Sequence, residues 1–249
     1  MANILIRKLT ARHASLQNFR YYDLLVHIFV VVLLVSDLIA QKICAIGSRR
    51  VSAALLLFPI TYIFGDVFTE VYGYAGSRRA IWIGFFSLGL LALMSLFAVS
   101  VPAAPEWHNQ AAFAAVFSFV PRIFVASLTA FWAGEFVNSY VMAKMKLWTD
   151  GRHLWTRTVG STVAGQAVDT TIVILLTFAG SQSLATIGNI VISSYLFKVA
   201  YEVLATPFTY LIVNFLKRAE GADVYDRDTD FNPFRTGAAT ASSAPAQAD

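Results

Sequence analysis

Six apolar runs dominate this chain, at residues 22–43, 51–72, 79–101, 122–145, 157–179 and 187–216. Each is long enough to cross a hydrocarbon layer of about 30 Å at roughly 1.5 Å per helical residue. Lipid offers no partner to a backbone N–H or C=O, so continuous runs of this kind satisfy their own polar groups as helices. The predicted fold class is an all-α membrane protein, a six-transmembrane-helix bundle. With 57% hydrophobic and 14% charged residues and a mean hydropathy of +0.61, the 249-residue chain has no room for a substantial soluble catalytic domain beside it. The last run is longer than one span needs and holds Pro207, which removes a helical hydrogen bond and predicts a kink or a tilt. The longest connection, 102–121, carries Trp107 and an apolar segment at 110–119 that suits a short interfacial helix between the third and fourth spans.

The basic residues predict orientation. Fourteen Lys and Arg lie in the N-terminal arm, the second and fourth connections and the tail, against four in the first and third connections. The positive-inside rule then puts both termini in the cytoplasm. The expected organisation is a cytoplasmic basic arm at 1–21, a six-helix transmembrane domain at 22–217 and a cytoplasmic polar tail at 218–249. From 236 onward that tail is Ala/Ser/Thr/Pro-rich and is expected to be disordered. A net charge of +4 invites a nucleic-acid reading, but the basic residues separate apolar runs and form no continuous stripe, which argues against a nucleic-acid partner. Cys44 is the only cysteine, so no intramolecular disulfide or thiolate cluster is available. Asp226, Asp228 and Asp230 alternate like part of a calcium loop, but the required glycine and distal glutamate are missing, and neither metal nor cofactor is expected.

Six acids sit inside the apolar runs: Asp37, Asp66, Glu70, Glu135, Asp169 and Glu202. At about 2.5–3.5 kcal/mol each near a bilayer centre, together they cost on the order of 15–20 kcal/mol unless protonated, paired or hydrated. Such residues face a bundle interior or a wet cavity and mark a pathway for a small polar solute. Tyr62, Asp66 and Glu70 follow one another at steps of four, which places them on one helical stripe. Two acids one turn apart do not both ionise cheaply, so a proton or a cation is expected there. Trp132, Glu135 and Asn138 follow at steps of three and offer an aromatic face, an acceptor carboxylate and an amide, a set that suits a planar heterocycle. The competing structural reading is a Trp at the membrane interface and an Asn joining helices. Gln166 and Asp169 are further binding candidates, beside Gly160, Ala164 and Val168, which favour close helix contact and suit a homodimer. Lys198 and Glu202, four apart, are expected to pair, and with Asp37 they are candidates for a proton or charge relay. No histidine pair at metal-ligand spacing, phosphate loop or serine with a base partner points to an enzyme.

Several long segments carry a resemblance. Phe58-Pro-Ile-Thr-Tyr-Ile-Phe-Gly-Asp-Val-Phe-Thr-Glu-Val-Tyr-Gly-Tyr74, Gly134-Glu-Phe-Val-Asn-Ser139 with Ala143-Lys-Met-Lys146, Val159-Gly-Ser-Thr-Val-Ala-Gly-Gln-Ala-Val-Asp-Thr-Thr171, and the tail Asp223-Val-Tyr-Asp-Arg-Asp-Thr-Asp-Phe-Asn-Pro-Phe234 resemble the queuosine precursor transporter family, a branch of the vitamin uptake transporter group. The resemblance runs from about residue 23 to 234. It implies a six-helix importer in the bacterial inner membrane, with 7-cyano-7-deazaguanine and its 7-aminomethyl relative as substrates for tRNA queuosine salvage. The residues fit such a solute: a midplane cavity is expected among Asp66, Glu70, Trp132, Glu135, Asn138, Gln166 and Asp169, with Glu135 or Asp66 receiving the guanine-like edge and Trp132 stacking on the ring. A rival reading is a substrate-binding membrane subunit dependent on a separate ATP-driven module. A third is a scaffold whose acids only join helices.

Overall fold

The computed structural model describes residues 19–40, 42–46, 49–118 and 121–235, so the outer part of the expected basic arm and the expected disorder from 236 lie outside the described residues. Helix α1 (Tyr22–Ala40) leads into a two-stranded antiparallel ribbon, β1 (Ile43–Ile46) and β2 (Arg49–Ser52), with Ile43 opposite Ser52. A single 3-10 turn (Ala53–Leu56) follows, and then helices α2 (Phe58–Ser100), α3 (Gln110–Phe117), α4 (Pro121–Trp148), α5 (Leu154–Phe178) and α6 (Leu184–Glu220). Among the described residues five helical stretches are long and apolar enough to cross a membrane. The chain is an all-α membrane protein apart from the ribbon. That ribbon corrects the expected second run, whose helix starts at Phe58 and not at 51: the Ser52 hydroxyl accepts from the Ala54 N–H and starts the 3-10 turn there.

Helix α2 is continuous in its labels but doubled in space. Gly73 sits at φ 74°, ψ 175°, a region that only glycine enters without strain. In a straight helix Phe64 and Gly84 would stand about 30 Å apart. Yet the Phe29 ring of α1 lies 5.9 Å from the Phe64 ring, and a Cβ built on Gly84 would come within 3.2 Å of that same Phe29. The helix therefore folds back at Gly73 into two arms, 58–72 and 74–100. No loop intervenes: the connection expected at 73–78 is itself helical, because one glycine makes the whole turn. Contacts with α4 agree. Gly65, Asp66 and Glu70 meet Glu135, Asn138 and Lys146 in rising order, whereas Ser77 and Gly84 meet Ser139 and Phe131 in falling order.

The bundle is apolar outside and polar inside, as lipid solvent requires. Leu90, Leu93, Phe97, Leu204, Leu211 and Phe215 are exposed, while Asp66, Glu70, Ser139, Arg157, Ser161, Thr170 and Glu202 are buried. Edge-on ring pairs hold α1 to the first arm of α2, Tyr22 with Tyr72 at 5.0 Å and Phe29 with Phe68 at 5.6 Å, and the Tyr22 hydroxyl donates to the Gly76 carbonyl of the second arm at 2.7 Å. Helix α6 runs through Pro207, with the Thr206 hydroxyl donating to the Glu202 carbonyl at 2.9 Å.

One end of the bundle gathers Tyr22, the Gly73 turn, the α4–α5 connection and Glu220, which accepts from the backbone N–H groups of Arg20 and Tyr21 at 2.8 and 2.7 Å. The tail crosses this end as an ordered strap. Arg78 donates to the carbonyls of Asp230 and Asn232, Trp82 to that of Pro233 and Tyr74 to that of Phe231, each at 2.8–2.9 Å. Lys144 lies 4.0 Å over the Phe231 ring.

Candidate functional site

Two glycines set the geometry of the site. A Cβ on Gly134 would fall 2.7 Å from Asp169 Cβ, and one on Gly165 would fall 2.8 Å from Asn138 Cβ and 2.9 Å from the Gly134 carbonyl. Neither position tolerates a side chain, so α4 and α5 cross almost backbone to backbone. That crossing turns Glu135 and Asn138 of α4 toward Gln166 and Asp169 of α5. Gly160 also lies close to α4, where a Cβ would meet Met145 Sδ at 2.8 Å, so the tight approach runs along α5 through both Gly160 and Gly165.

Beside this crossing, enclosed by α1, α2, α4, α5 and α6, lies a cavity of about 200 Å³. Its polar lining is Asp37, Tyr62, Glu135, Asn138, Gln166 and Asp169, with Lys198 beside them; Phe124, Leu128 and Phe131 supply apolar wall. Four of the seven expected binding residues therefore meet in one place. The carbonyl oxygens of Asn138 and Gln166 are buried with no hydrogen-bond partner. Lys198 pairs with Asp169 and not with Glu202. The expected four-step pair fails because Lys198 reaches across to α5 at the cavity, while Glu202 turns into the dry interior at 0% exposure. Thr61, Ser127 and Thr162 also line the cavity, and sequence reasoning missed them because single hydroxyls in apolar helices carry no pattern.

Three expected residues stand elsewhere. Asp66 lies behind the wall and accepts from the Asn138 amide at 3.3 Å. Glu70, two turns nearer the strapped end than Tyr62, accepts from Arg157 Nε and Nη2 at 2.7 Å each and from Lys217 at 2.5 Å, with Lys146 at 3.5 Å. It closes that end of the bundle and does not line the cavity. Arg157 and Lys146 read as loop charges in the sequence, yet a cation at the very edge of an apolar run is as anomalous as an acid within one. Trp132 faces away, packing on Phe136 at 5.2 Å, on Phe234 of the tail at 5.5 Å and on Trp82 at 6.0 Å. Each three-residue step turns about 60° back around a helix, so two steps spread Trp132 and Asn138 across a third of the circumference.

Within the strap, Asp226 accepts from the Tyr74 N–H at 2.9 Å and from the Thr229 hydroxyl at 2.7 Å. Burial pushes its carboxyl above the usual range despite both donors. Asp230 is held below that range by Arg235. Of the aspartates that resembled part of a calcium loop, Asp226 thus caps the Gly73 turn and Asp230 staples the tail to itself.

A family model described as "Putative vitamin uptake transporter" matches residues 52–212. The chain is similar to a protein of Bacillus subtilis (strain 168) named "Probable queuosine precursor transporter", at 31% identity over 156 residues, which is 62% of this chain and 68% of that relative. No solved structure matches.

Proposed function

Because the chain belongs to the vitamin uptake transporter family, we propose that it imports queuosine precursors, 7-cyano-7-deazaguanine and its 7-aminomethyl relative, across the bacterial cytoplasmic membrane for tRNA salvage. The observation that carries this reading is the acceptor-rich wall. Glu135 and the unpartnered carbonyl oxygens of Asn138 and Gln166 converge on one cavity. A guanine-like edge brings the N–H donors such a wall lacks, and its ring carbonyl takes an amide N–H in return. Tyr62 and Phe131 offer the aromatic wall that Trp132 does not. Glu135, which lines the same cavity while Asp169 is paired with Lys198, is the acid placed to meet an aminomethyl group.

In this reading the chain crosses the membrane six times, as α1, the two arms of α2, α4, α5 and α6, with both termini and the strap in the cytoplasm. The basic end then faces inward by charge. The Glu70 cluster is the cytoplasmic seal, and the cavity, lined by the halves of the helices remote from that seal, is reached from outside. Release of solute requires the seal to part.

Uptake of labelled 7-cyano-7-deazaguanine into salvage-dependent cells tests it. Losing a charged or buried hydrogen bond costs about 1.5–3 kcal/mol, so Glu135→Gln and Gln166→Leu should each cut uptake roughly ten- to a hundred-fold with protein level maintained. Unchanged uptake in both refutes the site. Liposomes holding the purified chain alone should accumulate the solute, whereas an absolute need for an ATP-driven module favours the binding-subunit alternative.

A further inference from the structure

Behind the cavity wall lie two buried acids that the solute reading leaves unused. Asp66 is 1% exposed and Glu202 0%, and neither lines the cavity. Both carboxylate oxygens of Glu202, and Oδ2 of Asp66, are buried with no hydrogen-bond partner. Helix α6 brings Glu202 within electrostatic reach of Asp66. The remaining charged groups around the pair do not relieve it. Glu70 is held by Arg157, Lys217 and Lys146, and Lys198 is committed to Asp169. Glu135, like Glu70, acts on Asp66 only by adding negative charge. Thr206 donates to the Glu202 backbone carbonyl, not to its carboxylate. Among the described residues the donor to the pair is the Asn138 amide, on Asp66 Oδ1 at 3.3 Å.

Two buried carboxylates that act on each other call for an occupant that donates to both and carries positive charge. No group of three potential ligands with metal-holding geometry occurs among the described residues. A proton needs no such shell. We propose that Asp66 and Glu202 hold one exchangeable proton between them, and that Asn138, which touches both this pair and the cavity, links that proton to the solute. The linkage rests on the transporter reading; the proton site does not. When a bound solute draws the Asn138 amide to itself, Asp66 loses its one donor, and the pair keeps its proton. Solute and proton are then bound together, and by reciprocity each favours the other.

The first measurement uses the full chain in lipid nanodiscs with no solute, following the infrared carbonyl stretch of protonated carboxylic acids as pH is raised. The wild type should retain such a band after exposed carboxylates have ionised. Glu202→Gln and Asp66→Asn should each remove the same component, since the new amide N–H stands in for the shared proton. Glu135→Gln should leave that component, and Glu202→Asp should restore it, which separates a proton site from simple misfolding. A component untouched by Glu202→Gln and Asp66→Asn, or removed by Glu135→Gln alone, overturns the site.

The second measurement is the affinity of the same nanodiscs for 7-cyano-7-deazaguanine against pH. Affinity should rise as pH falls, approaching tenfold per unit for one linked proton, and should be flat in Glu202→Gln. A pH-independent wild-type affinity overturns the linkage. Intact infrared behaviour with no binding of any deazaguanine leaves the proton site standing and refutes the proposed function instead.

Discussion

Replacing Glu70 by Gln takes the anion out of a buried cluster, and the consequence follows from what each cation keeps. Lys146 retains Asp223 at 2.5 Å and the backbone carbonyls of Glu70 and Val224. Lys217, 20% exposed, retains Asp223 at 2.8 Å and some water. Arg157, 1% exposed, retains the Arg152 carbonyl at 2.7 Å. The variant therefore strands one buried guanidinium. Breaking a buried pair by removing one partner costs about 3–5 kcal/mol. At about 2–4 °C per kcal/mol for a chain of this size, the melting temperature should fall by roughly 6–20 °C. Tryptophan fluorescence melting in detergent reads the change. Glu70→Gln combined with Arg157→Gln removes the stranded charge and should recover at least half of the loss. Were Glu70 a solute ligand instead, its replacement would depress uptake and leave melting untouched. A single variant that melts with the wild type, or a double variant no better than the single, refutes the assignment of Glu70 to a structural seal.

Two further outcomes test the strapped end. Gly73→Ala forces a side chain into a glycine-only conformation and puts its Cβ 2.7 Å from Val224 Cγ1, so it should cost on the order of 1–3 kcal/mol and loosen the tail, read as earlier proteolytic cleavage in the 222–235 strap. Asp226 titrates above its unfolded value because it is buried, so its ionised form opposes folding: the penalty is fully present above the folded value and is relieved as pH falls through it toward the unfolded value. Asp226→Asn keeps the acceptor for the Tyr74 N–H and removes the charge, so acidification should raise the wild-type melting temperature relative to the variant; parallel curves would refute this.

The legible part of the fold was the part that lipid dictates. Runs of about 20 apolar residues must become helices whatever they pack against, and all six expected runs contain helix. Turn chemistry was harder to read. Residues 73–78 carry Gly, Ser and two Arg and look like a loop, but a single residue at φ 74° reverses the chain, leaving Ser77 free to meet Ser139 at 2.6 Å inside the bundle. The ribbon at 43–52 was hidden for the opposite reason: Ile43 read as the end of one span and Val51 as the start of the next, while the antiparallel pairing joins the two across the connection. The tail at 222–235 is polar by composition, yet its carbonyls and its Phe231 and Phe234 rings find partners on Tyr74, Arg78, Trp82 and Trp132. Composition averages over a segment, whereas docking depends on a few residues within it.

The site was legible in its chemistry and only half legible in its grouping, because a helix separates residues in depth as well as in angle. Tyr62, Asp66 and Glu70 share a stripe, but eight residues of rise carry the last about 12 Å beyond the first, from the cavity to the Arg157 cluster. One stripe therefore serves three duties along its length: cavity wall at Tyr62, buried acid pair at Asp66, seal at Glu70. The same reasoning explains why acids at one membrane depth converge from different helices. Glu135 and Asp169 lie on helices of opposite direction whose crossing is pinned by Gly134 and Gly165, and Glu202 reaches the same level from α6. Intramembrane acids reveal that a polar interior exists; the small residues that allow helices to touch decide which acids share it.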